Sequence, residues 1–226
     1  MKRSRINQLI QETIIYFKSM NFNLPDFAYY TITDWKKVVN TAQEIFDLGL
    51  GWDITDFGLG DFDNTGLILF TLRNGSLTNR KYPKSYAEKI MLVKVDQFTP
   101  YHYHWHKVED IINRGGGDLL FKLANSTPDD GLDESPVEIV VDGIIKTIRP
   151  GEEFVLHPGQ SIALPQKMYH TFWGRNKDVL VGEVSMINDD SKDNRFYENL
   201  PRFSEIEEDE NPKYLLVTDY DKFLFN

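Results

Sequence analysis

Apolar positions recur at three- and four-residue spacing at the start of the chain. Ile6, Leu9, Ile10, Ile14 and Phe17 form one stripe, which predicts an amphipathic helix. Pro25 marks residues 22–30 as a connector. A second stripe, Trp35, Val38, Val39, Ala42, Ile45 and Phe46, predicts a second helix. It starts near Thr33 and Asp34, where a side-chain oxygen can cap free amides, and ends at Gly49 and Gly51. From about residue 66 the pattern changes to short β-rich runs, at 66–72, 90–95, 100–105, 119–123, 137–141, 144–148, 154–156, 161–164, 169–173 and 179–186. Asp142-Gly143 sits between two of them and favours a two-residue hairpin, whose central positions both need positive φ. Gly115, Gly116 and Gly117 permit a tight reversal.

Many short strands separated by turn signals predict a sandwich or a barrel, and closure would remove exposed sheet edges. Three regions follow: a helical stretch over 1–60 packed on a barrel, the barrel itself over 61–190, and a covering loop and strand over 191–226. Within the last region, residues 188–211 are acidic and read as a solvated loop, whereas 214–225 are apolar enough to pack as a strand or cover.

Composition narrows the partners. The 226 residues carry 25 basic and 35 acidic side chains, a net charge of -10, which argues against nucleic acid or an anionic membrane as a partner. Without cysteine the chain has neither disulfides nor thiolate metal sites. Its N-terminal apolar positions are interrupted by Asn7, Gln8, Gln11 and Glu12, so no continuous apolar signal segment is present, and the chain reads as cytoplasmic.

The sharpest chemistry lies in Tyr101-His102-Tyr103-His104-Trp105-His106-Lys107-Val108-Glu109. Residues two apart on a strand share a face, so His102 and His104 can converge on one ion while Tyr103 and Trp105 face packing. Glu109 has the wrong parity for that face and needs a bend or bulge after Trp105 to reach it. A second segment, from Pro158 to Pro165, ends in His170 and supplies a third imidazole. Three imidazoles and a carboxylate suit Mn, Fe, Co, Ni or Zn. His106 is an alternative ligand or a donor that orients one, and His157, before a turn, reads as a surface or capping residue.

These two segments resemble the cupin motifs H-x-H-x4-E-x6-G, with Gly116 as its glycine, and G-x5-P-x-G-x2-H, with Gly159, Pro165 and His170. Asp96 and Lys167 stand where the motifs carry glycine, which affects turns and leaves the ligands intact. The resemblance implies an all-β cupin barrel (jelly roll) with an α-helical N-terminal extension. The whole chain is similar to the bacterial D-lyxose isomerase family, through Leu50-Gly-Trp-Asp-Ile-Thr-Asp-Phe-Gly, Pro100-Tyr-His-Tyr-His-Trp, Glu109-Asp-Ile-Ile-Asn-Arg-Gly-Gly-Gly-Asp, Gly182-Glu-Val-Ser-Met and Arg202-Phe-Ser-Glu-Ile-Glu-Glu-Asp-Glu. That similarity implies a homodimeric, Mn-dependent aldose–ketose isomerase that interconverts D-lyxose and D-xylulose, and also D-mannose and D-fructose.

Moving a hydrogen between C1 and C2 through a cis-enediol requires a Lewis acid and a base within reach of both carbons. Glu205 is the candidate base, chiefly on the resemblance, against a reading of the whole acidic run as surface charge. Lys107 is a second candidate, as a proton shuttle or a donor to a substrate oxygen, and Lys89 is a candidate for holding a hydroxyl. An Fe(II) dioxygenase and a non-catalytic sugar-binding cupin are the alternatives that an open metal position on this fold also allows.

Overall fold

Residues Arg3–Ser19 form helix α1, and the stripe seen in the sequence is the face it buries. Ile6, Leu9, Ile10, Ile14 and Phe17 lie against Trp52, Ile54, Ile68 and Phe70 of the sheet. The computed structural model describes residues 1–225.

The second predicted helix is two short ones, α2 (Ile32–Val38) and α3 (Gln43–Asp47). The cap of α2 is Thr31, not Thr33 or Asp34. Thr31 Oγ1 accepts the Asp34 amide while the Asp34 carboxylate accepts the Thr31 amide, a reciprocal capping box. The break follows from Val38-Val39-Asn40-Thr41, residues of low helix propensity. There the Thr41 amide and hydroxyl both donate to Val38 O, closing a turn in place of the helical ladder.

Eleven strands follow: β1 (Gly51–Thr55), β2 (Leu67–Arg73), β3 (Tyr86–Val93), β4 (His102–His104), β5 (Glu109–Asn125), β6 (Val137–Val141), β7 (Ile144–Ile148), β8 (Phe154–Leu156), β9 (Ser161–Leu164), β10 (Met168–Met186) and β11 (Asn194–Phe196). All the ladders are antiparallel, in the order β1-β2-β3-β10-β5-β9-β6-β7, with β4 and β8 branching from β10 and β5, and β11 paired to β4. The order is an open path, so among the described residues the sheet is not closed into the expected barrel. The two longest strands hold it together: β10 pairs β3 over 179–186 and β5 over 179–185, and it pairs both β5 and β4 at His170.

Both faces of the central sheet are buried, which is why β2 and β3 read as nearly continuous apolar runs. Ile68, Phe70, Ile90 and Leu92 meet α1, whereas their alternates Leu69, Met91 and Val93 join the opposite core with Phe121, Ile139, Ile162 and Phe172. β1 was absent from the predicted elements because the sequence places a helix stop at Gly51 and carries a charge, Asp53, in mid-strand. The hairpin turn behaves as expected, with Asp142 at φ 51° and Gly143 at φ 80°.

The glycine run does not reverse the chain. Gly115 and Gly116 take φ 139° and 101° inside β5, where the register against β10 slips. A Cβ on Gly116 would meet Asp178 O at 2.1 Å, so the two strands approach here more closely than any side chain allows. The run 214–225 packs as a cover and contains no strand. Leu215 and Tyr220 bury against Trp35, and residues 221–225 make a single π-helical turn. Among the described residues, no helix is long and apolar enough to cross a membrane.

Candidate metal centre

His102 and His104 share one face of β4, and His170 on β10 is the direct cross-strand partner of His102. All three rings are oriented by the backbone. Each Nδ1 donates to a carbonyl: His102 to Pro100 at 2.8 Å, His104 to Asp193 at 2.9 Å, His170 to Met168 at 3.0 Å. A carbonyl only accepts, so each Nδ1 carries the proton and each Nε2 keeps its lone pair. The ligand atoms of the three histidines lie within 4.8 Å of one another. His170 Nε2 is fully buried with no hydrogen-bond partner, and a buried polar atom in that condition needs an explanation. A divalent ion accounts for it, and the neutral imidazoles suit one. Burial and its histidine neighbours hold His102 well below the usual imidazole range, and burial pushes His170 down to about 4. Both are therefore neutral donors at physiological pH.

Glu109 opens β5, and its Oε1 lies 3.3 Å from Nε2 of both His104 and His170. The expected bend or bulge after Trp105 takes the form of a bend that breaks the chain into two strands. Residues 105–108 form a turn that Asp193 organises, its carboxylate accepting the amides of His106 at 2.8 Å and Lys107 at 3.0 Å. Asp193 therefore fixes the His104 ring through its carbonyl and the path to Glu109 through its side chain. His106 is exposed on that turn, and His157 is exposed beside Asp118. Neither joins the cluster.

Lys107 is buried and bridges Glu109 Oε2 at 2.7 Å and Glu183 Oε1 at 2.9 Å. Burial opposes its charge, but the two carboxylates win and hold it above its ordinary range. Burial likewise opposes ionisation of Glu109, and Lys107 and the histidines nevertheless keep it well below the carboxylate range. Lys89, also buried, donates to Asn188 Oδ1 at 2.6 Å and stands 3.5 Å from Glu183 and from Asp190. Asp190 in turn faces Arg202 at 3.6 Å, and Arg202 pairs with Asp53 at 2.5 Å. Glu109, Lys107, Glu183, Lys89, Asp190, Arg202 and Asp53 thus form a chain of alternating charge. The histidines, Lys89, Lys107, Glu183 and Arg202 line one cavity.

Glu205 does not enter that cavity. It is exposed, its backbone carbonyl accepts the N-terminal ammonium, and its neighbours are Met1, Gly58 and Pro201. The acidic segment is nonetheless no solvated loop. β11 pairs with β4, placing Asn194 opposite His104, and Asp190, Asp193 and Arg202 all reach inward. The residues missed in the sequence are therefore Glu183, Asp190, Asp193 and Arg202. Only the apolar neighbours of Glu183 on β10 gave a signal for it; the others sit among like-looking surface charges.

An antiparallel sheet with few helices, presenting two buried histidines and one half-buried one that could hold a metal ion, has a cupin-like fold. Solved structures agree on the fold. L-ribose isomerase from Acinetobacter sp. DL28, in complex with L-ribose, superposes with a TM-score of 0.61 at 14% identity, over 92% of this chain and 98% of that one. The Cellulomonas parahominis L-ribose isomerase with L-psicose gives 0.56 at 15% identity over the same shares. The D-lyxose isomerase family profile matches residues 1–220, and the chain belongs to that family. It is 49% identical to D-lyxose/D-mannose isomerase of Serratia proteamaculans and 46% identical to that of Escherichia coli O157:H7. Each match covers 99% of this chain and the whole of the relative.

Proposed function

We propose that the protein is a metal-dependent aldose–ketose isomerase acting on D-lyxose and D-xylulose, and on D-mannose and D-fructose, through a cis-enediol. The observation that carries this reading is Glu183, a second buried carboxylate on the wall of the histidine cavity, which a site for metal storage alone would not need. His102, His104, His170 and Glu109 would hold the ion. When bound, such an ion polarises sugar oxygens and stabilises negative charge that develops on them. Manganese, a homodimer and a cytoplasmic setting belong to the same reading and rest on family membership.

The chain's own groups divide the remaining work. Glu183, with Glu205 on the outer surface, takes the role of base: it removes the C2 proton and returns it to C1. Lys107 stays charged beside it, so it keeps Glu109 ionised and offers an N–H to a substrate oxygen. Lys89 stands 3.5 Å from the same Glu183 oxygen that Lys107 contacts and faces sugar hydroxyls from the same wall.

Glu183→Gln should keep its metal and lose D-lyxose turnover by a factor on the order of 100 to 10,000, the range for a lost general base. Glu205→Gln should retain wild-type turnover. The reverse pattern returns the base to Glu205 and refutes this assignment.

A further inference from the structure

Among the described residues, Arg202 is the one other buried group in the cavity with an unanswered hydrogen-bonding atom. Its Nη2 is held by Asp53 at 2.5 Å, but Nη1 is buried and has no partner. The side chain is only 10% exposed. The segment that carries it is anchored for the purpose. Ser204 Oγ accepts the Asp56 amide at 2.8 Å and donates to the Asp56 carboxylate. Pro201 packs against Gly58, where an added Cβ would lie 2.7 Å from the proline ring. A guanidinium fixed this firmly, whose side chain lines the cavity and whose Nη1 has no partner in the protein, is preorganised for a ligand atom.

The charge around Arg202 says which atom. Asp53 and Asp190 together already neutralise the guanidinium. An anionic group would meet two fixed carboxylates, so the acceptor that fits Nη1 is neutral. The reacting end of the sugar belongs with the histidines, Lys107 and Glu183. Arg202 lies beyond Lys89 and Asp190 in the alternating chain.

We infer that Arg202 is a specificity-determining residue that donates from Nη1 to a hydroxyl on C4 or C5 of an unphosphorylated sugar. This rests on the isomerase reading and deepens it by naming the residue that reads the far end of the sugar.

The test crosses two deletions. The metal-loaded wild type, Arg202→Met and Arg202→Lys are assayed with D-lyxose and with its 4-deoxy and 5-deoxy analogues. Metal content and circular dichroism of each variant establish that it is folded and loaded. In the wild type, loss of the contacted hydroxyl should lower kcat/KM on the order of 10- to 100-fold, the worth of a hydrogen bond to a charged donor. Arg202→Met should lose as much with D-lyxose and nothing further with that analogue. Arg202→Lys, which keeps the charge between the aspartates, should show the same lack of additivity. Losses that multiply in full for both analogues would overturn the inference while leaving the isomerase reading intact. D-xylulose binding is measured by calorimetry in parallel and should weaken by a similar factor in Arg202→Met. The 5-phosphate of the ketose should bind the wild type at least about 100-fold more weakly than D-xylulose. Absence of turnover with D-lyxose in the wild type refutes the isomerase reading. In that case equal D-xylulose affinity in wild type and Arg202→Met refutes this inference as well.

Discussion

At the residue scale, the site is set by which nitrogen of each histidine is spent on the backbone. Three Nδ1–H···O=C bonds leave three inward lone pairs, so removing one ring removes a ligand without freeing another group to replace it. His104→Ala should therefore release the ion, read as loss of stoichiometric metal by elemental analysis, and abolish turnover. His157→Ala, on the surface at Asp118, should change neither. The two departures from the motif glycines are also decided at this scale. Asp96 and Lys167 keep the left-handed backbone that glycine would adopt, at φ 56° and 60°. Asp96→Gly should relieve that strain and raise stability by about 1 kcal/mol in urea unfolding. Lys167→Gly should gain less, because its ammonium lies 5.0 Å from the centre of the Trp105 ring and that contact would be lost.

At the scale of elements, the C-terminal segment and α1 are locked by one arginine. Arg3 is fully buried and makes two bidentate pairs, with Glu208 at 2.8 and 2.9 Å and with Asp219 at 2.7 and 2.8 Å. Arg3→Ala would leave Asp219 buried and uncompensated, and should cost about 3–5 kcal/mol in the same unfolding assay. Hydrogen bonds from Arg3 hold Glu208 down, from the ordinary 4.5 to about 2. A depressed folded-state value means that this stabilisation is complete above pH 4.5 and disappears as pH falls toward 2. The stability gap between wild type and Glu208→Gln should accordingly be constant from pH 7 to about 5 and shrink below 4.5. A gap that stays fixed down to pH 3 would remove Glu208 from the clamp.

What the sequence revealed differs between elements for physical reasons. α1 was legible because its stripe is periodic and its buried face is continuous. Most strands were legible because turn residues bound them; 137–141 and 144–148 match β6 and β7 residue for residue. The break between α2 and α3 was hidden because the apolar stripe runs on through Thr41 while the backbone does not. β11 was hidden because Asn194-Arg195-Phe196 carries no strand pattern of its own and pairs only because β4 offers an edge.

At the scale of the whole molecule, the three histidines and Glu109 come from three separate strands, and their convergence is a property of register. The pairing of His102 with His170, and of Glu109 with Ser185, brings the two motif segments onto β10. The clustering of these residues was readable because the spacing of H-x-H, and its resemblance to a known motif, carries that register implicitly. Glu183, Asp190 and Arg202 were not, since a charged side chain turned inward looks the same in sequence as one turned out. Only the pairing of Glu183 with Lys89 and Ile111 across neighbouring strands, and the anchoring of Arg202 at Asp53, make them interior. The open sheet was also out of reach of local pattern, because closure depends on whether distant edges meet.

The most direct test of the account is conversion of D-lyxose by protein stripped with EDTA, with and without restored Mn, in the absence of oxygen. Stripped protein should be inactive, and Mn should restore formation of D-xylulose together with about one ion per chain bound, the load of a single centre built by these ligands. Undiminished turnover by metal-free protein, or a fully loaded centre that forms no ketose from D-lyxose or D-mannose, would contradict it.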